Sequence, residues 1–175
     1  MKTVLCHGVF DVVHPGHLEH FRQAKAHGDL LIVGIVADAY VRKGRGRPLF
    51  DENRRRDFLL ALRIVDQVHI IYDSGAMPLL NNLRPDVYCK GPDYDDPTNP
   101  FLLDFLKEKA FVESYGGKVI LTTGFSSSST AIIDKAGLRP VPPRRPDPLL
   151  RRKWPPRSSG WVWWVRAILG LPWRL

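Results

Sequence analysis

Gly8-Val9-Phe10-Asp11-Val12-Val13-His14-Pro15-Gly16-His17 decides how this chain is read. The stretch follows the apolar run Thr3-Val4-Leu5-Cys6, so a strand runs into a loop and the loop into a helix. Pro15 holds His14 extended and suits the first helical position. Gly16 carries no Cβ, so a phosphate can approach the backbone there. His17 falls in the first helical turn, where unpaired N–H groups and the helix dipole attract anions. Two imidazoles converging at such a point can hydrogen-bond phosphate oxygens and follow charge as it develops on them.

Outward from this stretch, strands and helices alternate up to about residue 138. Val4 to His7 reads as the first strand, and Gly16 to His27 as a helix with Leu18, Phe21, Ala24 and Lys25 at helical spacing. Leu30 to Val36 is a continuous apolar run, as in a strand buried on both faces. A helix is expected over Arg54 to Arg63, with Phe58, Leu59, Ala61 and Leu62 on its inner side. Gln67–Tyr72, Val87–Lys90 and Val119–Thr122 read as further strands, separated by helices over Ala76–Leu83 and Leu102–Tyr115. Thr130 to Ala136 closes the body as a helix, with Gly137 as its stop. Alternating βα units imply an α/β fold with a doubly wound, five-stranded parallel sheet. Its ligand crevice lies outside the carboxyl ends of the strands. Four polar segments follow strands: residues 7–17, 38–47, 90–94 and 123–130.

The chain of 175 residues is long enough for one domain with a real core. Its net charge of +8 is unevenly placed. Residues 139–175 hold nine of the 26 basic residues and one of the 18 acidic ones, Asp147, which leaves 17 of each in the body. All five tryptophans also lie in that tail. The composition therefore divides the chain into a body, 1–138, and a Pro/Arg/Trp-rich tail, 139–175, expected to be extended and mobile over its first part. Cys6 and Cys89 sit in apolar runs without metal-ligand spacing and read as reduced core thiols of a cytoplasmic protein. No N-terminal apolar leader and no convincing membrane span is legible.

The pattern from Gly8 to His17 resembles the signature of the HxGH nucleotidyltransferases, the cytidylyltransferase-like superfamily. The resemblance implies a Rossmann-like fold over residues 2 to about 136. It also implies transfer of a nucleoside monophosphate from an NTP to a phosphorylated acceptor, with release of pyrophosphate. His14 and His17 would serve the triphosphate and the transition state. His7, Gly8 and Phe10 line the first-strand loop beside Gly16; His7 is open to two readings, a phosphate contact or a packing residue. Asp11 has two as well, facing the acceptor or fixing the loop. Relatives carry a mobile lysine where Arg42-Lys43-Gly44-Arg45-Gly46-Arg47 stands; Lys43 matches it, with Arg42 and Arg45 as substitutes and Arg45 a candidate for the acceptor. Relatives also place an arginine at Arg55, which would hold a phosphate or face water.

Lys90-Gly91-Pro92-Asp93-Tyr94 resembles the Lys-Gly-x-Asp-Tyr segment of heptose 1-phosphate adenylyltransferases, so Lys90, Gly91 and Asp93 are expected beside the nucleotide. The run before Ala131 resembles the family's late serine motif, in which hydroxyls and N–H groups at a helix start grip phosphates. Ser127, Ser128, Ser129 and Thr130 are its candidates, with a register ambiguous by one residue. Glycerol-3-phosphate cytidylyltransferases carry an arginine just before this motif; Leu121-Thr122-Thr123-Gly124 has none. ATP with a heptose 1-phosphate-like sugar phosphate is accordingly favoured, for a product used in envelope or glycan assembly. A CTP-dependent glycerol-3-phosphate enzyme is the alternative, and a nucleotide-binding module without turnover is the reading from another class.

His20, His27 and His69 read as surface or half-buried residues. Asp93, Asp95, Asp96 and Asp104 suggest a metal site, but Mg2+ in this chemistry arrives on the triphosphate, so no dedicated protein site is expected. A homodimer is expected and nucleic acid is not. Three readings stay open for Trp161–Leu175: a peripheral membrane or partner-binding segment, packing on the body or a dimer mate, and an unconstrained extension.

Overall fold

The first strand is apolar on both sides of its pleat, with Val4, Leu5 and Cys6 all fully buried. That pattern requires cover on both faces, as a parallel sheet between helices supplies. The computed structural model describes residues 1–44, 46–123 and 129–137, all within one compact unit. In chain order its elements are β1 (Thr3–Gly8), α1 (Pro15–Lys25), β2 (Leu30–Val36), α2 (Glu52–Leu60), β3 (Gln67–Ile71), α3 (Met77–Leu83), β4 (Val87–Lys90), α4 (Leu102–Ser114), β5 (Lys118–Leu121) and α5 (Ser129–Lys135). The five strands lie in the order β3-β2-β1-β4-β5, all parallel. The chain winds from β1 outward to β3, then returns to lay β4 and β5 on the other side. The direction of winding therefore reverses between β1 and β4, the place where such sheets bind ligands.

Side chains alternate along each strand, so two cores form. Val4, Cys6, Val33 and Cys89 meet Phe21 and Ala24 of α1 and Leu59 of α2 on one face. Leu5, Ile32 and Tyr88 meet Leu79 and Leu80 of α3 and Phe105 and Val112 of α4 on the other. A Cβ on Gly34 would approach Ile71 Cδ1 to 2.8 Å and Leu79 Cδ2 to 2.9 Å, so its bare backbone is what lets α3 close on the sheet. Cys6 and Cys89 are register partners, buried and free. One step further along, His7 near the end of β1 and Lys90 at the end of β4 lie side by side on the opposite face.

Helix α2 departs from the sequence expectation. Asp51 caps it by accepting a hydrogen bond from Arg54 N at 3.0 Å, so it starts two residues early. Its inward positions are Arg55 and Leu59, while Phe58 and Ala61 are exposed. Two short 3-10 helices, Asp38–Tyr40 and Pro92–Asp95, were not expected either. Each follows a strand end and turns the chain beside the site. Among the described residues no helix is long and apolar enough to cross a membrane. The tail lies outside the described residues, and the expectations placed on it lie there too.

Candidate active site

A cleft of about 520 Å³ opens at the carboxyl ends of β1, β2 and β4. All four polar segments singled out in the sequence contribute to its walls. The first supplies His7, Gly8, Phe10, His14, Gly16 and His17; the second, Arg42 and Lys43; the third, Gly91, Asp93 and Tyr94; the fourth, Ser129.

The histidines are set by the strand-to-helix turn. His14 is extended at the N-cap (φ −138°, ψ 170°), makes no side-chain capping bond and is followed by Pro15 at the helix start. Its ring stacks on that of His17, with centroids 3.8 Å apart and planes 24° from parallel. The Phe10 ring meets His17 edge-on at 5.1 Å and also packs on Phe21. Phe10 adopts a left-handed backbone (φ 48°) to reach this place. Gly8 lies beneath it, and a Cβ there would lie 3.0 Å from Phe10 Cζ, tight enough that the ring would have to shift. Both ring nitrogens of His14, Nδ1 of His17 and Nε2 of His7 are buried with no hydrogen-bond partner. Buried polar atoms are rarely left unpaired, and these four belong to residues lining one cleft. Each neutral imidazole has one N–H to donate and one lone pair to offer, so the cleft presents donors that the acceptor oxygens of a ligand can meet.

Burial holds these rings neutral. It pushes His7 well below the ordinary histidine range, with the Lys90 cation adding to the effect. His14 is lowered by burial and by Lys43. His17 is pushed down to about 3 by burial, then by His14, His20 and Lys43. His20 is pushed to about 4 by burial and Lys90. An anionic ligand would raise all four again. Without one, the unfolded chain, whose histidines titrate near 6.5, binds protons that the fold refuses. Stability is then full above that pH and falls as the pH drops below it. Each such histidine is expected to contribute a slope of up to about 1.4 kcal/mol per pH unit. Urea midpoints should fall between pH 7.5 and 5, and His17→Gln should flatten the trend. A flat wild-type profile would show that the rings are not held neutral.

Lys43 stands on an exposed stretch of the second segment, beside Gly44 with φ 92°. Its ammonium is lowered first by desolvation and then by Arg47, against Asp93 and Asp11, which raise it. It is thus a cation close to the histidines, with Asp93 among its neighbours. Gly91 leaves room for Asp93, whose Oδ1 would lie 2.5 Å from a Cβ at that position. Ser129 opens α5, and its hydroxyl donates to the Val12 carbonyl at 3.0 Å, tying the late segment to the histidine loop. Thr130 follows it in the same helix. Arg45, Ser127 and Ser128 lie outside the described residues.

Three assignments are corrected. Asp11 does not line the cleft. Its carboxylate is buried, accepts from Arg47 Nε at 2.7 Å and takes the backbone N–H groups of Leu49 and Phe50. It fixes the basic segment to the histidine loop, which was the second of its two readings. Arg55 neither faces water nor lines the cleft. Its fully buried guanidinium donates to the carbonyls of Val9 (2.6 Å), Val36 (2.8 Å) and Phe50 (3.0 Å) and to Asp38 Oδ1 (2.7 Å). It rivets the ends of β1 and β2 from behind. Lys90 is also buried, beneath the cleft wall rather than in it, with Nζ 3.3 Å from His7 Nδ1 and 3.9 Å from Glu108 Oε2.

Other participants were missed. His20 lines the cleft, its Nδ1 2.8 Å from Thr122 Oγ1. The signal was present in the spacing His17, His20, which makes the two rings neighbours on α1, just past His14 at its N-cap. Glu108 left none: it is one acid among several on α4, and only the tertiary fold buries it. Among the described residues there is no group of three or more His, Cys, Asp or Glu able to hold a metal ion.

The model of the family described as cytidylyltransferase-like matches residues 5–135. The chain belongs to that family and is a nucleotidyltransferase by class. It is 41% identical over 137 residues to the bifunctional protein HldE of Geobacter metallireducens, covering 77% of this chain and 26% of that protein. It is 39% identical to its counterpart in Pseudomonas paraeruginosa, covering 77% of this chain and 27% of that one. The chain thus spans about a quarter of the length of these relatives. Among solved structures, the lipopolysaccharide core biosynthesis protein of Thermoplasma volcanium superposes with a TM-score of 0.59 at 26% identity, over 72% of this chain and 99% of that one. TmcAL of Thermotoga maritima, bound with alpha-thio ATP, shares the fold with a TM-score of 0.53 at 18% identity, over 78% of this chain and 50% of that one.

Proposed function

We propose that this chain transfers the nucleoside monophosphate of an NTP, with ATP favoured, to the phosphate of a heptose 1-phosphate-like sugar. The observation that carries the reading is the stacked His14–His17 pair, with unpartnered nitrogens at a helix start on the sheet's switch point. The acceptor's phosphate oxygen bonds to the α-phosphorus. The bond from that phosphorus to the bridging oxygen breaks, and its electron pair leaves with pyrophosphate. The acceptor is already a nucleophile near neutral pH, so the demands are alignment and stabilisation of charge. His14 and His17 stand to serve the α-phosphate, and Lys43 the departing pyrophosphate. Divalent metal enters as part of the substrate, bound to the triphosphate. The preference for ATP and a sugar phosphate draws support from the likeness to HldE and to the Thermoplasma protein. The absence of an arginine from the sequence Leu121-Thr122-Thr123-Gly124 favours the same choice.

A pyrophosphate-release screen of four NTPs against phosphorylated sugars and polyols tests the proposal. ATP with a sugar 1-phosphate is expected to give the highest rate. CTP with glycerol 3-phosphate as the best pair would replace the substrate assignment, and nucleotide binding without release for any pair would remove the enzymatic reading. In the same assay Lys43→Ala should lower kcat more than it weakens ATP binding, because its contact strengthens as charge develops.

A further inference from the structure

The register that pairs Cys6 with Cys89 brings His7 and Lys90 together at the strand ends. Lys90 is held there from three sides. Its Nζ lies 3.9 Å from Glu108 Oε2, 4.1 Å from the centroid of the Tyr94 ring and 3.3 Å from His7 Nδ1. Glu108 is fixed in turn. Its Oε2 accepts from the Tyr88 hydroxyl at 2.7 Å and its Oε1 from Ala76 N at 2.6 Å. Lys90 and Glu108 are each 2% exposed. A lysine so confined is no mobile phosphate arm, and its chemistry toward His7 has one direction. An ammonium has protons and no lone pair, so at Nδ1 it can only donate. His7 Nδ1 therefore carries the lone pair and the ring proton sits on Nε2. That Nε2 is buried without a partner, on a residue 9% exposed that lines the cleft.

We propose that Lys90 is a positioning residue: clamped by Glu108 and Tyr94, it holds His7 in the neutral Nε2–H tautomer, so that His7 presents one fixed N–H donor to a phosphate oxygen of the bound substrate. The inference rests on the reading of the cleft as a nucleotide site. The alternative tautomer would turn a lone pair toward the phosphate and repel it. An imidazolium would set two cations against each other at 3.3 Å. A donor whose direction is fixed in advance needs no reorganisation as charge develops.

The test begins with the substrate-free full chain, labelled with 15N-histidine and read by NMR, the His7 signals being those lost in His7→Gln. His7 is expected to show an unprotonated Nδ1 and a protonated Nε2. Lys90→Met should mix the two tautomers, and inorganic pyrophosphate should shift the Nε2 signal of the wild type more than the Nδ1 signal. In kinetics, His7→Gln keeps an N–H near the same point and should stay within about tenfold of wild-type turnover, whereas His7→Leu should lose about a hundredfold. A protonated Nδ1 in the wild type, an unchanged tautomer in folded Lys90→Met, or equal rates for the Gln and Leu variants would each overturn the proposal. Should Lys90→Met fail to fold, the wild-type spectrum and the Gln/Leu pair still decide. The spectrum requires no turnover, so a chain with this tautomer and no transferase activity would sink the functional reading alone.

Discussion

Replacing His14 or His17 by Ala is expected to lower turnover by roughly 10²–10³, the loss typical of one donor removed from developing charge. Folding should survive in both cases. The His14 side chain makes no capping bond at the start of α1, and neither of its ring nitrogens has a partner to strand. Truncating His14 removes one stacked ring contact from the resting protein, whereas truncating His17 removes that contact, the edge-on contact with Phe10 and a hydrogen bond with the Val12 backbone, so a loss of about 1 kcal/mol or less is expected for His14→Ala and of about 1–3 kcal/mol for His17→Ala. ATP binding should weaken less than the rate falls, because the contacts strengthen toward the transition state. Steady-state pyrophosphate release beside calorimetric ATP titration separates the two quantities. Near-native turnover in either variant would remove the histidine pair from the chemistry.

Arg55→Met should do the reverse, losing stability before specific activity. It would leave Asp38 without its buried partner and three backbone carbonyls without donors. Asp38 is a third exposed and can be met by water, but each buried acceptor left unsatisfied costs about 1–3 kcal/mol, so the loss is a large part of the roughly 5–15 kcal/mol typical of a whole domain. Arg55→Lys should recover little, since one ammonium cannot reproduce the planar fork that reaches four acceptors. Denaturant midpoints measure the loss. If instead Arg55→Met kept its midpoint and lost only affinity for ATP, the arginine would be a phosphate ligand after all.

The strands were legible because burial on both faces writes itself as uninterrupted apolar runs: Leu30–Val36 and Val87–Lys90 end where the sequence expected. The cleft was legible because four polar segments follow strands, and parallel strands must deliver them to one edge. Helix α2 resisted for a physical reason. Its pattern is Arg-Arg-Arg followed by Phe and Leu, and hydrophobicity alone turns Phe58 inward. The fold buries Arg55 instead, because the ends of two strands and the Asp38 carboxylate offer the guanidinium four acceptors. Asp11 and Lys90 illustrate the same limit. A motif marks a charged residue as belonging to the site, but whether it meets the ligand or holds the wall behind it depends on partners far away in the chain, such as Arg47 and Glu108.

The central claim is that the cleft moves the α-phosphorus of an NTP. ATP labelled at either the α- or the γ-phosphorus, incubated with a sugar 1-phosphate and separated by chromatography, tests it most directly. The account predicts that the α-label enters a sugar-linked product while the γ-label leaves in pyrophosphate, and that both transfers fall together in His17→Ala. Label from the γ-position on the sugar, with ADP as the other product, would contradict it.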